Sequence, residues 1–244
     1  MYKIGIMIKV SEFSALNFRG DWKTDFQQNV EYIQKFLPTD VIRIQYTVTE
    51  QIIPYLTNHL TGDKTALSPI LLSQSNSEYC YQITINNRGI KEDTSFTLSF
   101  ESSEVLLSCD FCVCMELPGT ILLGYTHHEN AFDTIFDNDF YFRVEGCFLP
   151  QEVQFIHDTE IFRDQRYTPK TLSSIPYEQK KLTIGGGMGV PNWVGRKLNH
   201  IFSLSEVYVD DVKMVRGDGD MEISVIGNYY PLYVYKILLE DYGK

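Results

Sequence analysis

Between Tyr81 and Phe100 apolar side chains twice recur at every second position, and this period of two constrains the fold more than any other feature of the chain. Tyr81, Ile83 and Ile85 alternate with polar neighbours. Asn86-Asn87-Arg88-Gly89 then supplies turn chemistry, and Phe96, Leu98 and Phe100 alternate again. Successive strand side chains face opposite sides, so alternation builds half-buried strands, and Asn- and Gly-rich breaks between them build antiparallel hairpins. The apolar run 105–117, a turn at Pro118-Gly119 and the run 120–125 extend the meander.

Outside this middle, helical spacings compete with strands. Segments 3–9 and 41–49 read as strands. Thr24 followed by Gln27 outlines a capping box. Phe26, Val30, Ile33 and Leu37 then form one helical stripe that Pro38 stops. Ile53, Leu56 and Leu60 suggest a second, short helix ending near Gly62, with Pro54 tolerated early. Val194, Leu198 and Ile201 mark a helix with Pro191 near its first position, and 231–242, rich in Tyr and Leu, reads as a closing helix. Segments 206–215 and 221–226 flank Asp218-Gly219-Asp220 and read as a hairpin with Asp-Gly at its tip. Pro150, Pro169 and Pro176 make 150–180 read as irregular loop or linker. The expected class is α+β, a mostly antiparallel sheet with flanking helices near both chain ends. It forms one domain over 1–244, with 150–180 as the candidate boundary between lobes.

At 244 residues the chain buries enough surface to need no covalent staple. No run approaches the ~18 apolar residues of a membrane span, and the first nine residues hold too short an apolar stretch for a signal-peptide core. Five cysteines, an odd number, point to reduced thiols and a cytoplasmic location rather than a disulfide framework. Cys109, Cys112 and Cys114 crowd together but lack a second ligand pair. They read as small core residues, with Cys112 and Cys114 on one strand face and Cys109 on the other. Neither a metal nor a cofactor is expected.

Charge is uneven. Residues 95–165 hold 13 Asp/Glu against only Arg143 and Arg163, and this segment accounts for the whole net charge of −11. Within it, Glu129, Asp133 and Asp137 fall at helical spacing if 129–136 is a helix, with Asp139 just beyond and Phe132, Ile135 and Phe136 turned inward. That arrangement predicts one solvent-facing acidic patch, too spread along a helix for a single metal ion. A concentrated negative field attracts basic proteins and repels nucleic acid and anionic membranes.

The most site-like glycine motif is Gly185-Gly186-Gly187-Met188-Gly189, placed between a strand and a helix. Backbone N–H groups there could cradle a phosphate, with Arg196 or Lys197 adding positive charge. Neither the Walker nor the dinucleotide glycine pattern is completed, and no nucleophile motif appears. The expectation is therefore a non-enzymatic, acidic binding protein, of the inhibitor or immunity type, that occludes a basic protein such as a toxin through Glu129, Asp133, Asp137 and Asp139. The alternative is an enzyme or sensor holding a phosphorylated small molecule or nucleotide at Gly185, Gly186, Gly187 and Gly189.

Overall fold

The computed structural model describes residues 8–18, 32–75, 77–101, 105–226 and 232–242. In the first half, β1 (Ile8–Val10), β2 (Gln34–Phe36), β3 (Val41–Val48), β4 (Pro54–Asn58) and β5 (Lys64–Ala66) are followed by β6 (Ile70–Gln74), β7 (Tyr79–Asn86), β8 (Thr94–Glu101), β9 (Val105–Leu107) and β10 (Phe111–Val113). They form two sheets, ordered β1-β3-β7-β6 and β2-β10-β8-β4-β5, with β9 beside β8. The alternation is what joins them. Ile42, Ile44 and Tyr46 of β3 and Ile83 of β7 share one buried cluster with Leu98 and Phe100 of β8 and Phe111 of β10. Tyr46 sits at the middle, its ring 4.6 Å from that of Phe100 and 5.7 Å from that of Tyr81.

The second half is built from β11 (Thr120–Thr126), β12 (Phe140–Arg163), β13 (Pro169–Ile184), α1 (Asn192–Ile201), β14 (Glu206–Val209), β15 (Val212–Arg216), β16 (Glu222–Ile226) and β17 (Leu232–Asp241). Strands β13, β12, β11, β14, β15 and β17 follow one another side by side, all antiparallel, and β17 returns to pair with β13. The six strands thus close into a barrel, which removes its free edges. β16 lies on the same edge of β17 as β15, further along the strand. Val194, Leu198 and Ile201 of α1 are completely buried among the barrel residues. Each contributes about 2 kcal/mol of apolar burial.

The α+β expectation is overturned. The chain is predominantly β, and α1 is the one α-helix among the described residues. That helix starts where its apolar stripe predicts, with Pro191 one position earlier, at the N-cap. The helix read over 53–62 is strand β4, with Pro54 as its first residue, where a missing N–H is tolerated. The closing helix read over 231–242 is β17, in which Tyr235, Ile237 and Leu239 alternate inward and barrel closure satisfies both edges. Thr24, Gln27, Phe26 and Val30 lie outside the described residues, but Gln34–Phe36, the end of that stripe, is a strand held parallel to β10. Nor is 206–226 a simple hairpin. Its first part folds on itself as β14–β15, while β15 and β16 each pair with β17 rather than with each other. Segment 150–180 is neither loop nor linker but the long continuation of β12 and β13.

A seam of polar bonds joins sandwich to barrel. Arg143 of β12 reaches Asp40, in the turn before β3, with Nε 2.6 Å from Oδ2 and Nη2 2.8 Å from Oδ1. Their side chains are 9% and 2% exposed, so this bidentate pair sits out of water. Removing one partner of a buried pair strands the other charge and costs about 3–5 kcal/mol. Asp40→Ala should therefore lower the urea midpoint markedly, and an unchanged midpoint would show that the seam is not held by this pair.

Candidate functional site

The acidic row lies on the loop between β11 and β12, not on a helix. Residues 127–139 have no helical turn, and both Phe132 (φ 52°) and Asp133 (φ 58°) take the left-handed conformation. Local bonds replace the helix. Ala131 and Thr134 bridge each other, Asn130 Oδ1 accepts from the Phe136 N–H, and the Ser205 N–H donates to His127 Nδ1. Glu129, Asp133, Asp137 and Asp139 are all exposed, but the loop also faces the sandwich. Lys9 of β1 donates to Asp133 at 2.5 Å, Gln45 bonds both backbone groups of Ile135, and Arg43 donates to the Asp139 carbonyl. Phe132, expected to turn inward, is 65% exposed and stacks on His200.

The glycine loop is a tight bend against β17. Gly185 and Gly189 have φ near +80°, and a Cβ on either would meet Tyr233 O or Leu232 Cβ at 2.7 and 2.6 Å. The Gly185 N–H donates to the Glu145 carbonyl and the Gly189 N–H to the Gly185 carbonyl. Lys197 does not turn toward the loop. Its ammonium is buried, donates to the Ser14 carbonyl and lies 5.4 Å from the Phe142 ring centre. Arg196 is on the exposed side of α1.

The loop rims a cavity of about 610 Å³ that also takes in Tyr32, Lys35, Glu145 and Cys147. Glu145 accepts from Tyr32 and, at 3.0 Å, from Lys35. Burial pushes its pKa up, yet the hydrogen bonds from Tyr32 and Lys35 outweigh that and hold it below the usual glutamate value. An ionised carboxylate beside the glycines opposes an incoming phosphate, and the one lysine there is already balanced by it. The cysteines stand as a pair plus one. The sulfurs of Cys112 and Cys114 are 3.4 Å apart, and Cys109 receives the Asn17 side chain. Burial, then the neighbouring Cys112, pushes the Cys114 thiol up to about 12. Among the described residues no three His, Cys, Asp or Glu side chains are grouped to hold a metal ion, and no helix is long and apolar enough to cross a membrane.

Sequence reasoning missed the most unusual feature. Beyond the barrel, where β13 has left β17, β12 and β13 run on as a two-stranded arm, paired from Phe155 with Glu178 out to Arg163 with Pro169. At ~3.3 Å per residue the arm projects roughly 26 Å. Asp164 shapes its tip by accepting from the Arg166 and Thr168 N–H groups, while Tyr167 takes φ 60°. Directly opposed residues share a face. One face therefore carries Phe155 and Ile161, and the other Ile156, Tyr177, Ile175 and Phe162, with Leu172 as an extra residue in a bulge. Phe155 is 76% exposed, Tyr167 81%, and Ile161, Phe162, Leu172 and Ile175 each more than half. No described strand pairs with either outer edge of the arm.

Comparison with protein-family models, with curated proteins and with solved structures finds no match for the chain.

The lowered pKa of Glu145 fixes a sign. A carboxylate held below its unfolded value adds stability above that value and loses it as the pH falls through the folded one. Glu145→Gln should therefore lower the melting temperature at pH 7, and the gap to the parent should close as the pH falls below about 4. A gap independent of pH would show that the Glu145 charge contributes nothing to the fold.

Proposed function

We propose that this chain is a non-enzymatic binding protein whose contact element is the β12–β13 arm. One observation carries the proposal: a two-stranded ribbon with exposed apolar side chains on both faces stands clear of the body with no described strand on its outer edges. An isolated hairpin is marginally stable in water at best, and exposed apolar strand edges are a hazard that soluble folds suppress. An arm of this length persists when another surface covers it. Strand addition supplies backbone hydrogen bonds, and the alternating side chains supply specificity.

The exposed carboxylates Glu129, Asp137 and Asp139 support a secondary role as a rim that steers a basic surface of the partner, since rim charges act mainly on the association rate. An inhibitor or immunity-type protein that occludes a basic toxin is one form of this function, and nothing in the geometry singles out a toxin.

Placing a photo-crosslinking amino acid at position 155 in the native cell tests the proposal. It should yield a covalent adduct to a protein, whereas the same group at the exposed body residue Leu60 should not. No adduct from position 155 would sink the arm as the contact element.

A further inference from the structure

We infer that the arm's partner is a second copy of this chain and that its seat is the outer edge of β16. The inference rests on the arm being a binding element and goes further by naming what it binds. β16 is the arm's counterpart in the body. All five of its residues are exposed, Ile223 and Val225 stand 57% and 61% exposed on one face, and β17 is the only described strand beside it. An apolar strand with a free edge is a template for strand addition.

Register along β17 settles which arm can reach it. Gln179 is opposite Glu240 and Ile184 is opposite Tyr235, so the arm leaves the barrel past the Glu240 end. β16 lies opposite Leu232 to Lys236, toward the other end. The arm of any one copy therefore points away from its own β16, and only a neighbour's arm can lie along that strand.

Charge orients the pairing. The arm tip carries Arg163, Arg166 and Lys170 around a single Asp164, while the loop entering β16 carries Asp218 and Asp220. With the tip at that loop, the neighbour's arm runs in the same direction as the receiving copy's own arm. The contact is then head-to-tail, the type that closes into a ring or extends as a filament, and not a two-fold dimer. The reach fits: with the tip beside Asp218 and Asp220, the stretch of arm that meets the five residues of β16 carries Ile161 and Phe162 on β12 and Leu172 on β13, beside Ile223 and Val225.

Sedimentation of the full chain from about 1 to 100 μM should show species larger than the monomer. The seat variant Ile223→Lys/Val225→Lys and the arm variant Ile161→Ser/Phe162→Ser should each sediment as monomers. Their circular dichroism and melting temperature should be unchanged, because all four side chains are exposed. Mixed in equal amounts, the two variants should give a 1:1 dimer and nothing larger, since one intact arm then meets one intact seat. Asp218→Arg/Asp220→Arg should weaken assembly about tenfold, and adding Arg163→Asp/Arg166→Asp should restore it. A monomeric parent up to 100 μM, or a seat variant that assembles like the parent, would overturn the inference. A monomeric parent that still crosslinks a different protein through position 155 would overturn the second-copy partner and leave the arm as a binding element.

Discussion

Strand β17 is the element on which the rest of the barrel half depends, because it satisfies three neighbours at once. One edge pairs with β13 and closes the barrel; the other edge is shared in sequence by β15 and then β16. The same register determines where β13 stops being a barrel strand. Past Gln179 it has lost β17, and past Gly146 β12 has left β11, so the two strands continue with only each other. The arm is a direct consequence of strands longer than the barrel wall they build. Gly195 shows how tightly this strand is fitted. A Cβ there would fall 2.2 Å from the Tyr235 ring, so the helix can lie against β17 only with glycine at that point.

A second constraint is the seam between the halves, which is polar where each core is apolar. Asp40–Arg143 is its buried centre. Lys35–Glu145, Tyr32–Glu145 and the bonds of the Gln45 amide to both backbone groups of Ile135 extend it, and Lys9–Asp133 lies at its wet rim. The members are unequal. Lys9 and Asp133 are 65% and 74% exposed, and such surface pairs contribute little. The buried guanidinium–carboxylate pair has directional bonds and lies out of water, so it ties β12 to the turn before β3.

How much of this was legible follows from particular residues. Alternation located β3, β7, β8 and β11, because half-buried strands write their faces into every second position. It failed at Tyr235, Ile237 and Leu239, where apolar residues also fill intervening positions and a strand enclosed within a barrel resembles a helix stripe. The arm was hidden by Pro150, Pro169 and Pro176, read as strand breakers. In the structure Pro150 falls in the irregular stretch between Phe148 and Val153, Pro169 opens β13, and Pro176 lies where β13 has a free outer edge. These are the positions at which a strand tolerates a missing N–H. The left-handed turn at Phe132 left no sequence signal, since a bulky residue is a poor candidate for positive φ.

The acidic excess of 95–165 takes on a different meaning once its partners are placed. Glu101 meets Lys64, Asp133 meets Lys9, Glu145 meets Lys35 and Glu152 meets Lys236. Every one of those lysines lies outside the segment, in stretches whose own charges nearly balance. Four of the 13 carboxylates behind the charge asymmetry are thus met by lysines from distant parts of the same fold. Of the carboxylates outside those ion pairs, Asp158, Glu160 and Asp164 stand on the arm and Glu129, Asp137 and Asp139 on the exposed loop. On the arm they place charge between its exposed apolar residues, as edge strands do when indiscriminate pairing must be suppressed. Charges at these positions favour a seat with matching charges over strand edges at large.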